Sequence, residues 1–246
     1  MLSTCSYFCT MGKKAAILFV HGILGSPENF RDMYPLVPEW ADVHTILLDG
    51  HGSTPREFGN ASMARWKAQV ADKVRCLRNE YARIVIVAHS MGTLFAIRAA
   101  ADKQADSLFL LNVPLKLRPT RRMLSTPLKV HFGKISDDDV HTIAARNVYS
   151  LTDDPNVLHY AGWIPRFLEL FAEIWRTRKL THLIDVPTRV FLSEHDEMVS
   201  PRSDIYFAGI PTVKTFHLPD SGHYHYDDTD RSTVAREFRA MLEKLQ

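Results

Sequence analysis

The stretch VIVAHSMGT, Val85 to Thr93, decides how the rest of this chain is read. It continues a β-branched, apolar run that starts at Arg83 and ends at Ala88. His89-Ser90-Met91-Gly92 follows, and TLFAIRAAA then reads as a helix. Strand, tight turn and helix, with a serine at the apex, is the pattern of a nucleophile elbow. The turn holds the serine in a strained backbone conformation, so small residues are needed on either side to avoid the neighbouring strand and helix. Gly92 takes one of those positions. Ala88 takes the other, a one-methyl departure from G-x-S-x-G that the turn is expected to tolerate. A serine capping an ordinary helix would give the same local pattern, so the reading needs support from elsewhere in the chain.

That support starts upstream. AAILFV, Ala15 to Val20, is a short apolar run of the kind that forms a buried parallel strand, and His21-Gly22-Ile23 follows it directly. Beside a nucleophile elbow, such a loop supplies one backbone N–H of an oxyanion hole, and the residue after the serine supplies the other. The candidates are the amides of Ile23 and Met91. His21 is expected to be a buried histidine bonded to nearby backbone, shaping the loop without moving protons.

Further strand and helix signals alternate along the chain. Val43 to Asp49 reads as another buried strand. Met63, Trp66, Val70, Val74, Leu77 and Tyr81 recur at three- and four-residue steps, as on one face of an amphipathic helix. Ser107 to Leu111, Thr188 to Ser193 and Thr212 to Leu218 read as strands. A last helix is expected from about Thr229, with Val234, Phe238, Met241 or Leu242, and Leu245 on its apolar stripe. This rhythm predicts an α/β fold with a mostly parallel central sheet and helices on both faces. It is broken over residues 112–186, which are helical in character. There, Lys116 to Lys134 carries six basic residues and no acid. That stretch reads as a solvated face, or as an attraction for anionic substrates or a lipid surface. Trp163 to Trp175 is aromatic and amphipathic, suited to roofing an acyl pocket. The division expected is a leader over 1–12, a core over 13–111 and 187–246, and a helical lid inserted over 112–186.

With these stretches in hand, the chain resembles the α/β-hydrolase-fold serine hydrolases, and within them the carboxylesterase and monoacylglycerol-lipase-like group. The resemblance rests on His21-Gly22, LDGHGST (Leu48 to Thr54), AHSMGT (Ala88 to Thr93), LIDVPTRVFLSEHDEMV (Leu183 to Val199) and Ser-Gly-His (Ser221 to His223), which occur in the family's order. It implies a triad in the order serine, acid, histidine. The acid is expected on the loop after Thr188 to Ser193, where Glu194, Asp196 and Glu197 compete. The family's spacing, with an apolar Val199 three residues on, selects Asp196 and leaves Glu194 and Glu197 as solvated loop charges. The base is expected after the final strand, where Ser-Gly-His selects His223 over His217 and His225. The spacings, 106 residues from Ser90 to Asp196 and 27 from there to His223, leave room for the lid and one further helix–strand unit.

SGHYHYDD, Ser221 to Asp228, also offers the rival reading of a metal cradle. After Asp228, however, only the acids Asp230, Glu237 and Glu243 remain as ligands, and all fall in the terminal helix. The other acids gain structural roles, Asp227 or Asp228 as the helix N-cap. Tyr224 and Tyr226 are expected to pack, and His225 to stand aside.

The remaining features narrow the class. A net charge of +2 with 12 neutral histidines is too mild to argue for nucleic acid. Three cysteines, Cys5, Cys9 and Cys76, form no C-x-x-C pair, which points to a reducing, cytoplasmic setting. No apolar run approaches transmembrane length, and no signal peptide or cofactor motif is read. The expected activity is hydrolysis of carboxylic esters of short to medium acyl chain through an acyl-enzyme on Ser90, with no metal and no cofactor. Alternatives on the same triad are thioesterase, C–C hydrolase or lyase chemistry, and a non-catalytic binding protein is the remote one.

Overall fold

The computed structural model describes residues 15–118, 120–133 and 135–245, without the side chains of Met123 and Leu124. The leader expected over 1–12, Cys5, Cys9 and Lys134 lie outside this range. In chain order the strands are β1 (Ala15–Val20), β2 (Ala41–Ile46), β3 (Arg83–His89), β4 (Ser107–Leu111), β5 (Thr188–Ser193) and β6 (Val213–Leu218). The helices are α1 (Pro55–Asn60), α2 (Met63–Glu80), α3 (Met91–Ala101), α4 (Arg121–Phe132), α5 (Val140–Val148), α6 (Trp163–Arg178) and α7 (Asp228–Glu243).

The strands form one sheet in the order β2-β1-β3-β4-β5-β6, with every pairing parallel. β1, β3 and β4 are buried along almost their whole length, as expected of continuous apolar runs covered by helices. Two apolar layers flank the sheet. Trp66, Val70, Val74 and Leu77 of α2 pack on one side with Leu94 and Ile97 of α3 and Leu170 and Ile174 of α6. Val234, Phe238, Met241 and Leu242 of α7 pack on the other with Phe19 and Phe109. Burying a side chain such as Phe238 stabilises the fold by about 1.5–3 kcal/mol.

Two expectations need correction, and a third is made specific. The strand read at Val43–Asp49 is β2, displaced toward the N-terminus, and after a buried Ala41 it alternates half-buried and exposed residues. It lies at the sheet edge, so its outer face meets solvent and Val43 is exposed. No α-helix separates β5 from β6: only a 3-10 turn, Pro201–Tyr206, lies between Asp196 and the last strand. The terminal helix starts at Asp228, capped by Asp227, whose side chain accepts from the Thr229 N–H at 2.9 Å.

Residues 112–186 hold α4, α5, a 3-10 turn at Val157–Gly162 and α6. A fully buried carboxylate ties α6 to the body. Glu173 accepts from Lys67 of α2 at 2.9 Å, Arg98 of α3 at 3.1 Å and Arg176 of its own helix at 3.4 Å. Among the described residues no helix is long and apolar enough to cross a membrane.

Candidate active site

The turn after β3 has the conformation its small residues imply. Ser90 sits at φ 51° and ψ −124°, a left-handed backbone that a side-chain-bearing residue seldom adopts. Its N–H is held by the Leu111 carbonyl at 2.9 Å, at the end of β4. Gly92 is obligatory at its position. A Cβ there would stand 2.3 Å from the Val20 carbonyl oxygen and 2.7 Å from that of His21. Gly22 approaches from the loop after β1, where an added Cβ would lie 2.9 Å from the Ser90 Cβ.

The three residues selected for a triad come together from three loops. His223 Nε2 lies 3.1 Å from Ser90 Oγ, and His223 Nδ1 lies 2.7 Å from Asp196 Oδ2. The other oxygen of Asp196 accepts the N–H groups of Met198 and Val199, each at 2.7 Å. Asp196 is therefore held by its own loop, and it sets His223 as the Nδ1–H tautomer with Nε2 free to accept from Ser90. Burial disfavours the charged imidazole, but the Asp196 carboxylate, with a smaller contribution from Glu197, outweighs burial and raises the His223 pKa. A base next to a serine hydroxyl, oriented from behind by a carboxylate, can move a proton off that hydroxyl and back again.

The amides of Ile23 and Met91 donate to no protein group among the described residues. His21 matches the structural role read for it. It is fully buried, its Nδ1–H donates to the Gly22 carbonyl at 2.8 Å, and its Nε2 accepts the Leu48 N–H at 3.1 Å. Burial lowers its pKa to about 4, with the Gly22 bond partly opposing, so it is neutral at pH 7.

The histidines of SGHYHYDD part company. His223 faces Ser90, whereas the His225 ring packs against His141 with centroids 5.5 Å apart. Tyr224 packs on the rings of His89 and His223. His217, within β6, pairs with Glu194 on the exposed side of the sheet edge. Among the described residues, no three His, Cys, Asp or Glu side chains cluster so as to hold a metal.

Ser90 opens into a cavity of about 650 Å³. Its floor holds Ile23, Leu24 and Val199, and its far wall is Trp163, Ile164, Phe167, Leu168 and Phe171 of α6 with Leu128 and Phe132 of α4. Among the described residues, no acidic or lysine side chain lines it.

Two residues at the site were given no role there from the sequence. Asn112 follows β4 at φ 51°; its Nδ2 donates to the His223 carbonyl at 3.0 Å and its Oδ1 accepts the Ser193 N–H at 3.1 Å. An asparagine at a strand end is a favoured left-handed residue, the one local signal that marked it. Glu197 corrects an expectation. It is not a solvated loop charge: it is only 5% exposed, and its Oε2 accepts the His223 N–H at 3.1 Å. Nothing in the sequence distinguishes it from Glu194, because burial here depends on the packing of α5 and the histidine loop.

Comparison with known proteins agrees with this fold. The model of the alpha/beta hydrolase family matches residues 17–237. Among solved structures, the chain is similar to the metagenome-derived lipolytic enzymes LipS and LipT, with 18% identity, 95% of each chain covered and a TM-score of 0.72. It is similar to a monoacylglycerol lipase from Paleococcus ferrophilus, with 13% identity, 94% of this chain and 95% of that one covered, and a TM-score of 0.67. It is also similar to a deformylase from Pseudomonas putida, with 14% identity, 92% of each chain covered and a TM-score of 0.56.

Proposed function

Because the chain belongs to the alpha/beta hydrolase family, we propose that it hydrolyses carboxylic esters with aliphatic acyl chains of short to medium length, through an acyl-enzyme on Ser90. The single observation that carries this reading is the continuous link from Asp196 through His223 to Ser90 Oγ, at 2.7 and 3.1 Å, ending at an apolar cavity.

In this mechanism His223 Nε2 takes the Ser90 proton as Oγ attacks the ester carbonyl. Asp196 holds the tautomer and stabilises the imidazolium, and the Ile23 and Met91 amides stabilise the oxyanion. The tetrahedral intermediate collapses by breaking the C–O bond to the alcohol, which leaves with the proton from His223. Water then gives a proton to His223 and attacks the acyl carbonyl, releasing the acid and restoring the Ser90 hydroxyl. Residues 112–186 act as a cap whose apolar inner face receives the acyl chain, with α4 and α6 as its roof.

The test is a chain-length series of p-nitrophenyl esters and monoacylglycerols on the wild type and on Ser90→Ala, with labelling by an active-site phosphonate. The expected result is ester turnover lost in a folded Ser90→Ala protein and a phosphonate adduct on Ser90. Undiminished turnover by Ser90→Ala, or better turnover of bulky polar amides than of aliphatic esters, refutes the reading.

A further inference from the structure

The residue next to the triad acid makes contacts that the mechanism above leaves unused. Glu197 is buried, and its side chain reaches across to the histidine loop, where Oε2 accepts the His223 N–H at 3.1 Å. A Cβ built on Gly222 would stand 3.2 Å from that same oxygen, so the loop lies directly on the carboxylate. Oε1 is buried with no hydrogen-bond partner among the described residues. Among the described residues the only ion-pair partner within reach of Glu197 is His141 of α5, whose Nδ1 stands 4.0 Å from Oε2. No lysine or arginine among the described residues joins it. A buried carboxylate with one backbone donor and no fixed cation is costly to keep. Its field therefore falls on the groups around it.

Those groups come from each element packed there. Asp196 stands beside it on the same loop and His223 on the facing one, and the phenols of Tyr149 and Tyr224, whose ionisation burial chiefly disfavours, are disfavoured further by its charge. His141 is held in its neutral form by burial, against the pull of Glu197, and with Arg122 of α4 and His225 adding to the effect of burial while Asp139 opposes it. Glu197 is thus a second carboxylate beside the base, placed on its backbone where Asp196 is placed on its ring.

Resting on the Ser90 reading, we propose that Glu197 is a positioning residue for the triad base: it fixes the His223 backbone through the N–H bond and, through its charge, favours the imidazolium that forms in each proton transfer. His223 acts as a base only when neutral, so kcat/KM rises with pH through its ionisation. A nearby negative charge moves that rise to higher pH and stabilises the charged form at the top of the barrier.

The experiment compares pH profiles of kcat and KM for wild type, Glu197→Gln, Glu197→Asp and Glu197→Ala, using a short p-nitrophenyl ester. Gln keeps an acceptor for the His223 N–H and removes the charge. The expected result is an acid limb displaced to lower pH, a plateau kcat lowered roughly tenfold and a little-changed KM. Asp keeps the charge, and its acid limb stays with the wild type even where its plateau falls. Ala removes both contributions and loses on the order of 10²-fold in kcat, the scale for misplacing a catalytic group. An acid limb in Glu197→Gln that coincides with the wild type overturns the proposal, as does an equal displacement in Glu197→Asp. Should Glu197→Gln fail to fold, the Asp and Ala profiles decide between charge and shape. Phosphonate labelling of Ser90 in every variant keeps this outcome separate from failure of the Ser90 reading, which Ser90→Ala tests alone.

Discussion

Replacing Glu173 with glutamine tests whether α6 is fastened to the body by a single buried charge. Glu173 is fully buried and accepts from Lys67, Arg98 and Arg176 at 2.9, 3.1 and 3.4 Å. Glutamine keeps the shape, removes the charge and turns an NH₂ toward cations. Breaking a buried ion pair typically costs about 3–5 kcal/mol because it strands the remaining charge. Here the stranded charges regain water, since Lys67 and Arg98 are 29% and 35% exposed and Arg176 is 56% exposed. The cost is therefore smaller, about 2 kcal/mol, and for a chain of this length that lowers Tm by roughly 4–8 °C. The pH dependence has a definite sign. Burial raises the Glu173 pKa, but Lys67 and Arg98 outweigh it and the net value lies below 4.5. A carboxylate with a depressed folded pKa stabilises fully above its unfolded value and loses that stabilisation as pH falls through the folded one. The difference between wild type and Glu173→Gln is thus complete at pH 7 and narrows below about 4.5. Thermal unfolding across this range, followed by circular dichroism, is the assay. A Tm within about 1 °C of wild type at pH 7, or a gap that widens below pH 4.5, refutes the argument.

Gly92→Ala drives a methyl to within 2.3 Å of the Val20 carbonyl oxygen, and since backbone cannot step aside, about 3 kcal/mol of stability is lost in urea unfolding; a loss under about 0.5 kcal/mol contradicts the close approach. Asp196→Asn leaves the fold intact by circular dichroism but lowers kcat by about 10⁴-fold, because the amide favours the wrong His223 tautomer; a loss under tenfold removes Asp196 from its assigned role. Leu168→Trp fills part of the 650 Å³ cavity beside α6 and moves the preferred p-nitrophenyl ester to a shorter acyl chain; an unchanged preference shows that the chain binds elsewhere.

The elbow was legible because its constraints are local. A serine forced to positive φ needs a glycine behind it, and the two lie only two residues apart in the chain. The buried parallel strands were legible for a similar reason: a strand covered on both faces is a continuous apolar run, as in β1 and in Ile84 to Ala88 of β3. β2 shows the limit. Its residues are apolar enough to suggest a covered strand, yet its place at the sheet edge leaves only Ala41 buried and exposes Val43 and Thr45. Place in a sheet is a property of strand order, which no single strand encodes.

The sequence by itself therefore determined the alternating architecture, the strained serine turn and, through spacing and resemblance, the choice of Asp196 and His223. Only the tertiary structure decided which of three neighbouring acids lies beneath the histidine loop. Asp196, Glu197 and Glu194 occupy one short loop, but Asp196 faces the His223 ring, Glu197 its backbone and Glu194 an exposed His217 at the sheet edge. The local sequence specifies the loop. The direction each side chain takes, and hence whether its charge is screened by water or delivered to the base, is set by what packs against it from β6, α5 and the end of β4.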